Sequence, residues 1–383
     1  ASRTGGRGGE SEGGGMSSSI EWTDEAWNPV VGCTPVSTGC VNCYAARMAR
    51  RQEAMGTKGY QPDFAGLAGE DGKPGDGDVI RIAEVRAGRA VFTGEVRCLP
   101  ERLTDPLAWR RPRKVFVNSM SDLFHEKVPF EFVDRVFAVM ALCPQHTFQI
   151  VTKRPERMAE YLSFRSHGGV TFYEPPVGRE RMTDRQLDRL SRGFQWPLPN
   201  VWLLTSVEDQ AAADARIPHL LRCPAVVRGL SVEPMMGAVD LSRALNIEFS
   251  DVAGWMPAIN GAGPNIDWVI VGGESGPKAR ACDVAWIRSI VTQCKAAGVA
   301  CFVKQMGARP FDSAKMDAVP GSRRPVTDAA LRIPEQADQF ADVLGKCIEA
   351  AVMKLRDRKG GDPAEWPEDL RVREFPEVGG GVA

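Results

Sequence analysis

This 383-residue sequence lacks the features that mark a membrane protein, a secreted protein or a uniformly basic one. It has no run of about 18 apolar residues, so it predicts no membrane-spanning helix. It has no charged and then apolar leader before a cleavage site, so we expect no secretory signal and a cytoplasmic location. Its formal net charge is -1, which excludes a global basic field for nucleic acid but leaves room for a local basic groove.

Histidine is scarce, and its positions show no metal-ligand spacing. The four histidines are His125, His146, His167 and His219. Only His125 lies near the site predicted below, and we expect it to have an ordinary surface role. Cysteine is more frequent, and seven of the ten cysteines are scattered singly, which in a cytosolic protein predicts reduced thiols. These seven are Cys98, Cys143, Cys223, Cys282, Cys294, Cys301 and Cys347.

The other three cysteines, Cys33, Cys40 and Cys43, form a C-x6-C-x2-C arrangement. Two glycines and a proline stand among them, which favours a tight loop over core packing. Residues 45–55 then have helical character, so we expect the loop to lead into a helix N-terminus. Three thiolates on such a loop suit a 4Fe-4S cluster with one open iron, and they suit zinc if a fourth ligand comes from elsewhere. The spacing of the cysteines alone does not distinguish a 4Fe-4S cluster from a zinc ion.

A disordered extension is expected at residues 1–15, which are rich in glycine and serine; they could also be a remnant of cloning. Residues 16–307 are expected to form the main domain. Polar, glycine- or proline-rich insertions interrupt it at residues 52–90, 166–199 and 241–265.

Two further segments are predicted to lie outside the regular part of this domain. Residues 66–78, inside the first insertion, have too few apolar side chains to order themselves and are predicted to be mobile. Residues 308–383 form a C-terminal extension that contains several prolines and one expected helix at 335–356.

From residue 114 onward, apolar runs of about five residues alternate with helical segments. The runs lie in residues 115–122, 148–154, 201–208, 226–233, 268–275 and 301–307. The helical segments span residues 130–142, 156–164, 210–221 and 284–297. Near-continuous apolar strands are typical of parallel sheets buried on both faces. With residues 30–31 and 90–97 counted as strands the total is eight, which predicts an α/β fold built as a full or partial (β/α) barrel of the TIM type.

Polar residues stand where the predicted strands end. They are Ser119 and Asp122, Lys153 and Arg154, Ser206 and Glu208, Ser231 and Glu233, Gly272, Gly273, Glu274 and Ser275, and Lys304 and Gln305. Chemistry in a parallel barrel takes place at the carboxyl ends of the strands, so we expect a shared site there. The alternative is that they are helix caps and solvated loop ends.

One strand end has a pattern that favours ligand binding in particular. Gly272 and Gly273 would let a ligand approach the backbone closely. Glu274 would then accept hydrogen bonds from an ammonium or hydroxyl group.

Several motifs together resemble a known family. They are residues 20–24 with 27–29, 32–33 with 43–45, 118–124, 152–155, 231–234 and 272–276. These segments resemble the phage-encoded three-cysteine-motif proteins over roughly residues 19–307, a family without a settled activity. More loosely, a cysteine loop after the first barrel strand and a late Gly-Gly-Glu resemble the radical S-adenosylmethionine superfamily. That superfamily commonly has C-x3-C-x2-C with an aromatic residue before the last cysteine, whereas Tyr44 follows it here.

The resemblance implies an iron–sulfur enzyme, in the host-cell cytoplasm if it is phage-encoded. Cys33, Cys40 and Cys43 would hold three irons of a 4Fe-4S cluster. Tyr44 and the polar strand-end residues would bind S-adenosylmethionine. Reductive cleavage of that cofactor would need an electron donor as a partner and would produce a radical that removes hydrogen from a substrate.

A nucleic-acid base or nucleoside is the substrate that local basic residues suggest. The residues that would suit phosphates are Arg110, Arg111, Arg113 and Lys114, and Lys153 with Arg154. The same residues also fit a solvated face.

Two other functions stay open. One is a zinc- or cluster-stapled nucleic-acid-binding protein without catalysis, in which Asp24 or a distant cysteine supplies the fourth ligand. The other is a metal-dependent barrel hydrolase that uses Glu208, Glu233 and Glu274.

Overall fold

Seven parallel strands form the central sheet of the protein, which curls into a half-barrel. The structure, a computed structural model, describes residues 16–17, 20–62, 80–167, 182–194, 196–245, 265–315 and 351–377. The strands are β1 (Met16–Ser17), β2 (Glu25–Trp27), β3 (Val30–Val31), β4 (Ala83–Arg86), β5 (Arg89–Phe92), β6 (Arg97–Cys98), β7 (Lys114–Val117), β8 (Thr147–Thr152), β9 (Val201–Ser206), β10 (Val227–Val232), β11 (Trp268–Gly272), β12 (Cys282–Asp283), β13 (Ala300–Gln305) and β14 (Pro310–Phe311). The helices are α1 (Tyr44–Ala54), α2 (Phe130–Leu142), α3 (Pro155–His167), α4 (Asp184–Arg192), α5 (Gln210–Leu221), α6 (Ser242–Leu245) and α7 (Val284–Ala297).

The sheet runs in the order β1-β2-β7-β8-β9-β10-β11-β13. All pairs from β2 to β13 are parallel, and β1 is antiparallel to β2. In the part of the chain that the structure describes, no strand joins β13 back to β2. The α/β fold and the partial barrel are therefore confirmed, whereas a closed ring is not formed by these strands.

The six strands predicted between residues 115 and 307 are all present, and short strands also form within residues 30–31 and 90–97, but the prediction that these first two belong to the barrel is wrong. Val30–Val31 pairs antiparallel with β6, and Arg89–Phe92 forms a hairpin with β4, so neither belongs to the large sheet. The first parallel strand is β2 instead. Its pattern is hard to see because Glu25 is a charged residue within a strand of three residues; the carboxylate is buried and paired with Arg113.

The sheet is covered on both faces, as the continuous apolar runs predict. Every residue of β9 and β10 is buried. Outside the sheet, apolar side chains pack against α2, α3, α5 and α7. Inside it, an aromatic cluster that we call the floor fills the half-barrel below its carboxyl-end opening, which we call the mouth. Trp268 is central to the floor, with ring centroids 5.6 Å from Trp202 and 6.1 Å from Trp22.

The end of the chain covers the outer edge of β13. The Val303 amide donates to the Val372 carbonyl at 2.8 Å, and the Glu374 amide donates to the Cys301 carbonyl at 2.8 Å. Phe375 then packs on the floor, 5.3 Å from the Trp268 ring centroid. Residues 372–375 of the C-terminal extension are therefore part of the half-barrel.

Several predicted segments fall partly or wholly outside the described residues. These are the extension at 1–15, the segment at 66–78 that was predicted to be mobile, and most of the helix predicted at 335–356. The described end of that helix, 352–356, is not helical, and Val352 bridges to Phe311. The insertions at 52–90, 166–199 and 241–265 are described only in part, and α4 lies within the second. Among the described helices, none is long and apolar enough to cross a membrane.

Candidate functional site

The cysteine loop lies between β3 and α1, and it begins at Gly32. Gly32 has a φ of 90°, and a side chain there would collide with the Glu95 carbonyl, so only glycine fits. The Gly32 amide donates to the Met120 carbonyl at 3.3 Å, which places the start of the loop beside the end of β7. At its other end Cys43 is the N-cap residue of α1, as the sequence predicts.

The three thiols of this loop are half-buried, and Cys43 lies within electrostatic range of both Cys33 and Cys40. Burial raises the pKa of Cys33 to about 12, and Asp122 adds to this, while Arg154 acts in the opposite direction. Burial also raises the pKa of Cys43, while the amides of Ala46 and Ala45 act to lower it. The groups that oppose the increase are those that would stabilise a negatively charged sulfur.

A first anchor holds the start of the loop through Arg154, which follows β8. Its Nη1 lies 3.7 Å from the Cys33 sulfur and 3.2 Å from Asp122 Oδ2. Its Nη2 donates to the Thr34 carbonyl at 3.0 Å, and its Nε donates to Glu126 at 3.2 Å. The guanidinium thus links a strand end, two carboxylates and the first cysteine.

Asp122, in the loop that follows β7, organises this anchor. Its carboxylate accepts from the Thr152 hydroxyl at 2.7 Å, the Lys153 amide at 3.0 Å and the Phe124 amide at 3.0 Å. With Arg154 as a fourth donor, this buried carboxylate is fully engaged, so Asp122 positions the loop and β8 rather than facing a ligand.

A second anchor holds the middle of the loop through Glu208, which follows β9. Its carboxylate accepts from Lys153 Nζ at 3.0 Å and from Arg216 Nη1 at 2.8 Å, and it lies against Gly39. Burial by itself would raise the pKa of Glu208, but Lys153, a hydrogen bond from Ser37 and Arg216 together lower it to about 2. Glu208 is therefore a carboxylate at neutral pH, although it is completely buried.

A third anchor holds the end of the loop through Glu274, which follows β11. The carboxylate accepts from Asn42 Nδ2 at 2.9 Å and from the amide and Nε of Arg280 at 2.8 and 2.9 Å. Arg280 Nη1 in turn donates to the Thr38 carbonyl at 2.8 Å. The sequence predicts that Glu274 meets a ligand, but in this structure its oxygens are occupied by the chain's own donors.

Gly272 and Gly273 were expected to let a ligand approach the backbone, but in this structure other parts of the chain occupy that space. A Cβ at Gly273 would collide with the Met306 carbonyl and would stand 2.9 Å from Cys282 Cβ. A Cβ at Gly272 would stand 2.8 Å from Glu233 Oε1. The close approach that these glycines permit is to other parts of the same chain.

Glu233 and Lys304 face each other across the mouth with fewer competing partners. Lys304 Nζ lies 3.2 Å from Glu233 Oε1, and the Ser231 hydroxyl lies 3.5 Å from Oε2. Both side chains retain some exposure, 11% for Glu233 and 19% for Lys304. Ser206 is buried on the next strand, and its carbonyl accepts from a helix arginine.

Tyr44 joins α1 to the end of β7. Its hydroxyl donates to the Ser119 carbonyl at 2.8 Å, while 44% of the residue is exposed. The Ser119 hydroxyl reaches Asn28 Oδ1 at 3.2 Å. Two other predicted residues have minor places: Ser275 is half-buried in the loop after β11, and Gln305 Nε2 donates to the carbonyl of a glycine at 2.8 Å.

His125 is buried beneath the cysteine loop, so the predicted surface role is wrong. Its Nδ1 accepts from the Lys127 amide at 3.1 Å, which leaves Nε2 as the donor to the Thr34 hydroxyl at 2.8 Å. Burial and Arg154 lower the pKa of His125 to about 4, while Glu126 acts to raise it. The imidazole is therefore neutral at pH 7.

The basic run before β7 lies at the opposite end of the sheet from the loop. Arg113 pairs with Glu25, and Lys114 Nζ lies 4.2 Å from the Phe375 ring in the floor. Asp24, the suggested fourth zinc ligand, accepts from the Lys114 amide at 2.7 Å at this same end. None of these residues can contribute to a site at the mouth.

The sequence patterns did not reveal the residues that donate hydrogen bonds to the anchoring glutamates, chiefly Asn42, Arg216 and Arg280. Arg216 lies on α5, eight residues after Glu208, and Arg280 lies six residues after Glu274. Basic residues at such distances are common in any sequence. Only the fold makes these ones significant.

No three Cys, His, Asp or Glu side chains among the described residues are grouped to hold one metal ion. Three half-buried thiols on one loop, with a guanidinium at Cys33 and helix amides at Cys43, have donor chemistry that fits a cluster.

A family model described as a protein of unknown function (DUF5131) matches residues 17–347. The chain belongs to this family. No curated protein and no solved structure matches it. The DUF5131 match includes the cysteine loop and all three anchors, and it ends before the segment that places Phe375 on the floor.

Proposed function

We propose that this DUF5131 protein is an iron–sulfur enzyme of the radical S-adenosylmethionine type that acts on a nucleic-acid base or nucleoside. One observation carries the proposal: three anchors that follow β8, β9 and β11 hold a three-cysteine loop at the carboxyl ends of parallel strands, through contacts with Thr34, with Ser37 and Gly39, and with Thr38. That end of a parallel α/β sheet is where ligands and cofactors bind.

Cys33, Cys40 and Cys43 would hold the cluster, which together with S-adenosylmethionine and an electron donor would supply one-electron cleavage of the sulfonium and hydrogen abstraction from a substrate. The chain's own part is to hold and orient. Arg154 and the first amides of α1 direct positive charge at two of the sulfurs. Glu233 and Lys304 offer opposite charges 3.2 Å apart, which suits the ammonium and carboxylate groups of an amino acid.

The two other functions have less support. For zinc, the suggested ligand Asp24 is at the wrong end of the sheet. For a hydrolase, Glu208 and Glu274 are each held by an arginine of the chain, and among the described residues no three acidic, histidine or cysteine side chains are grouped to hold a metal ion.

The cysteines provide the direct test. Cys33→Ala, Cys40→Ala and Cys43→Ala should each abolish iron retention after anaerobic reconstitution, because each removes one cluster ligand. Cys98→Ala is the matched control, since Cys98 is also a half-buried free thiol but lies on β6. The readouts are iron per chain and a brown absorbance that bleaches on reduction.

Full iron in any of the three loop variants would contradict the assignment. A colourless protein that holds zinc would favour the stapled nucleic-acid-binding protein. A complete cluster without S-adenosylmethionine binding would leave the cluster with a structural or electron-transfer role.

A further inference from the structure

Cations from two separate elements meet at the outer edge of the cysteine loop. Lys278, in the loop after β11, is exposed, and its Nζ donates to the Gly88 carbonyl at 3.1 Å. Its own carbonyl accepts from Asn42 Nδ2 at 3.0 Å, which fixes it beside the loop. On α1, the Arg47 guanidinium packs directly on Gly276, where a Cβ would collide with it.

The β4–β5 hairpin carries a further cation to this edge. Residues 85–89 are all exposed, and Ala87 and Gly88 have φ values of 48° and 69°, which is the geometry of a tight two-residue turn. This turn places Arg89 next to the tip that Lys278 contacts. Arg86 is paired with Glu84, so Arg89 is the hairpin cation that remains for a ligand.

Helix α1 presents an aromatic ring and two arginines on one face. Tyr44, Arg47 and Arg51 are spaced i, i+3 and i+7, which places them in a row along the helix. Tyr44 lies at the mouth, where its hydroxyl donates to the Ser119 carbonyl while 44% of the residue is exposed. The acidic Glu53 on the same helix forms ion pairs with Arg50 and Arg81.

We propose that these residues, Tyr44, Arg47, Arg51, Arg89 and Lys278, form a basic rim that binds the backbone of a single-stranded nucleic acid and directs one base into the mouth. Cations that follow the phosphates and an aromatic ring on which a base stacks are the elements of single-strand sites. They stand out on a chain whose formal net charge is -1. A base must also leave its stack to reach a recessed site, which favours a single strand over a duplex.

This inference names the substrate class of the proposed function, but its binding part can be tested separately. The probe is a fluorescently labelled single-stranded oligonucleotide, as DNA and as RNA, with a duplex for comparison. Anisotropy titrations use the full chain at several salt concentrations. The double variant Arg89→Gln/Lys278→Gln should bind about tenfold more weakly, and its slope of log K against log salt should be shallower by about 1.4, since each phosphate contact on a single strand contributes about 0.7.

The matched control is Arg110→Gln/Arg111→Gln, which removes two exposed arginines at the opposite end of the sheet. It should bind like the wild type. At Tyr44, Tyr44→Phe keeps the ring and should retain affinity, whereas Tyr44→Ala should lose about tenfold with an unchanged salt slope, because stacking is not ionic.

The proposed rim is refuted if the wild type does not bind the single-stranded oligonucleotide, if it prefers the duplex, or if both double variants lose affinity equally. Iron content and S-adenosylmethionine binding of the same variants separate the two proposals. Normal cluster and cofactor binding without nucleic-acid binding would refute the rim alone. Rim-dependent binding by a protein that holds no cluster would refute the enzyme alone.

Discussion

At the residue scale, two glutamates at neighbouring strand ends have different uses. Glu274 accepts from Asn42 and several atoms of Arg280, and through Arg280 it reaches the cysteine loop. Glu233 has only Lys304 and a distant Ser231 hydroxyl as its described partners, at the mouth. From sequence alone, Glu274 is the better candidate for a ligand and the loop is a separate element. The structure joins Glu274 to the loop and leaves Glu233 better placed for a ligand.

Substitution of each glutamate by glutamine should separate these two roles. Charge-assisted hydrogen bonds contribute roughly 1.5–3 kcal/mol, so Glu233→Gln should weaken S-adenosylmethionine binding about tenfold to a hundredfold with normal iron content. Glu274→Gln should reduce iron retention first, because Arg280 loses the charge that holds it against the loop. Calorimetric titration and iron analysis on anaerobic protein measure the two effects. Iron loss in Glu233→Gln with normal iron in Glu274→Gln would reverse the assignment.

At the element scale, the junction of β11 and β13 depends on backbone contact at Gly273. Its amide donates to the Gln305 carbonyl at 3.0 Å, and the Met306 carbonyl and Cys282 side chain fill the place of a Cβ. A larger residue must therefore push the two strands apart.

Gly273→Val should destabilise the fold by about 1–3 kcal/mol, the usual cost of overpacking a close-packed site. Gly237→Val is the control, because no atom lies within 4 Å of a Cβ at Gly237. Denaturant unfolding of the two variants measures the difference. A fully stable Gly273→Val that fails only to bind S-adenosylmethionine would show that the glycine faces a ligand after all.

At the scale of the whole molecule, the C-terminal segment completes an open sheet. Residues 371–375 run along the free edge of β13, and Phe375 contacts Trp268 and Phe302 in the floor. The Trp268 indole also donates to the Glu374 carbonyl at 2.9 Å.

A chain that ends at residue 370 should therefore be less stable than one that ends at residue 377. The shorter chain exposes the edge of β13 and uncovers the floor aromatics, whereas the longer one keeps both contacts. Phe375→Ala in the full chain tests the ring alone and should cost about 1–3 kcal/mol, since the ring is only half-buried. Equal unfolding midpoints for all these proteins would show that the segment rests on the sheet without supporting it.

The parallel sheet was predictable from sequence because its strands are buried on both faces and so consist of apolar runs of strand length. The helices between them were predictable because helical segments alternate with these apolar runs along the chain. The first strand was not, because Glu25 becomes compatible with burial only when Arg113 pairs with it. The segment before Phe375 was not predicted either, because Arg371, Arg373 and Glu374 are exposed charged residues, as in an ordinary tail.

By itself the sequence determined the alternation of strands and helices, the compact cysteine loop and the polar strand ends. Those are local properties, since each depends on residue types within one short segment. Only the tertiary structure decided which strand-end groups hold the loop and which remain for a ligand, because Asn42, Arg216 and Arg280 act on partners up to 242 residues away. It also decided which basic residues share an end of the sheet with the cysteines, because that depends on strand direction rather than on composition.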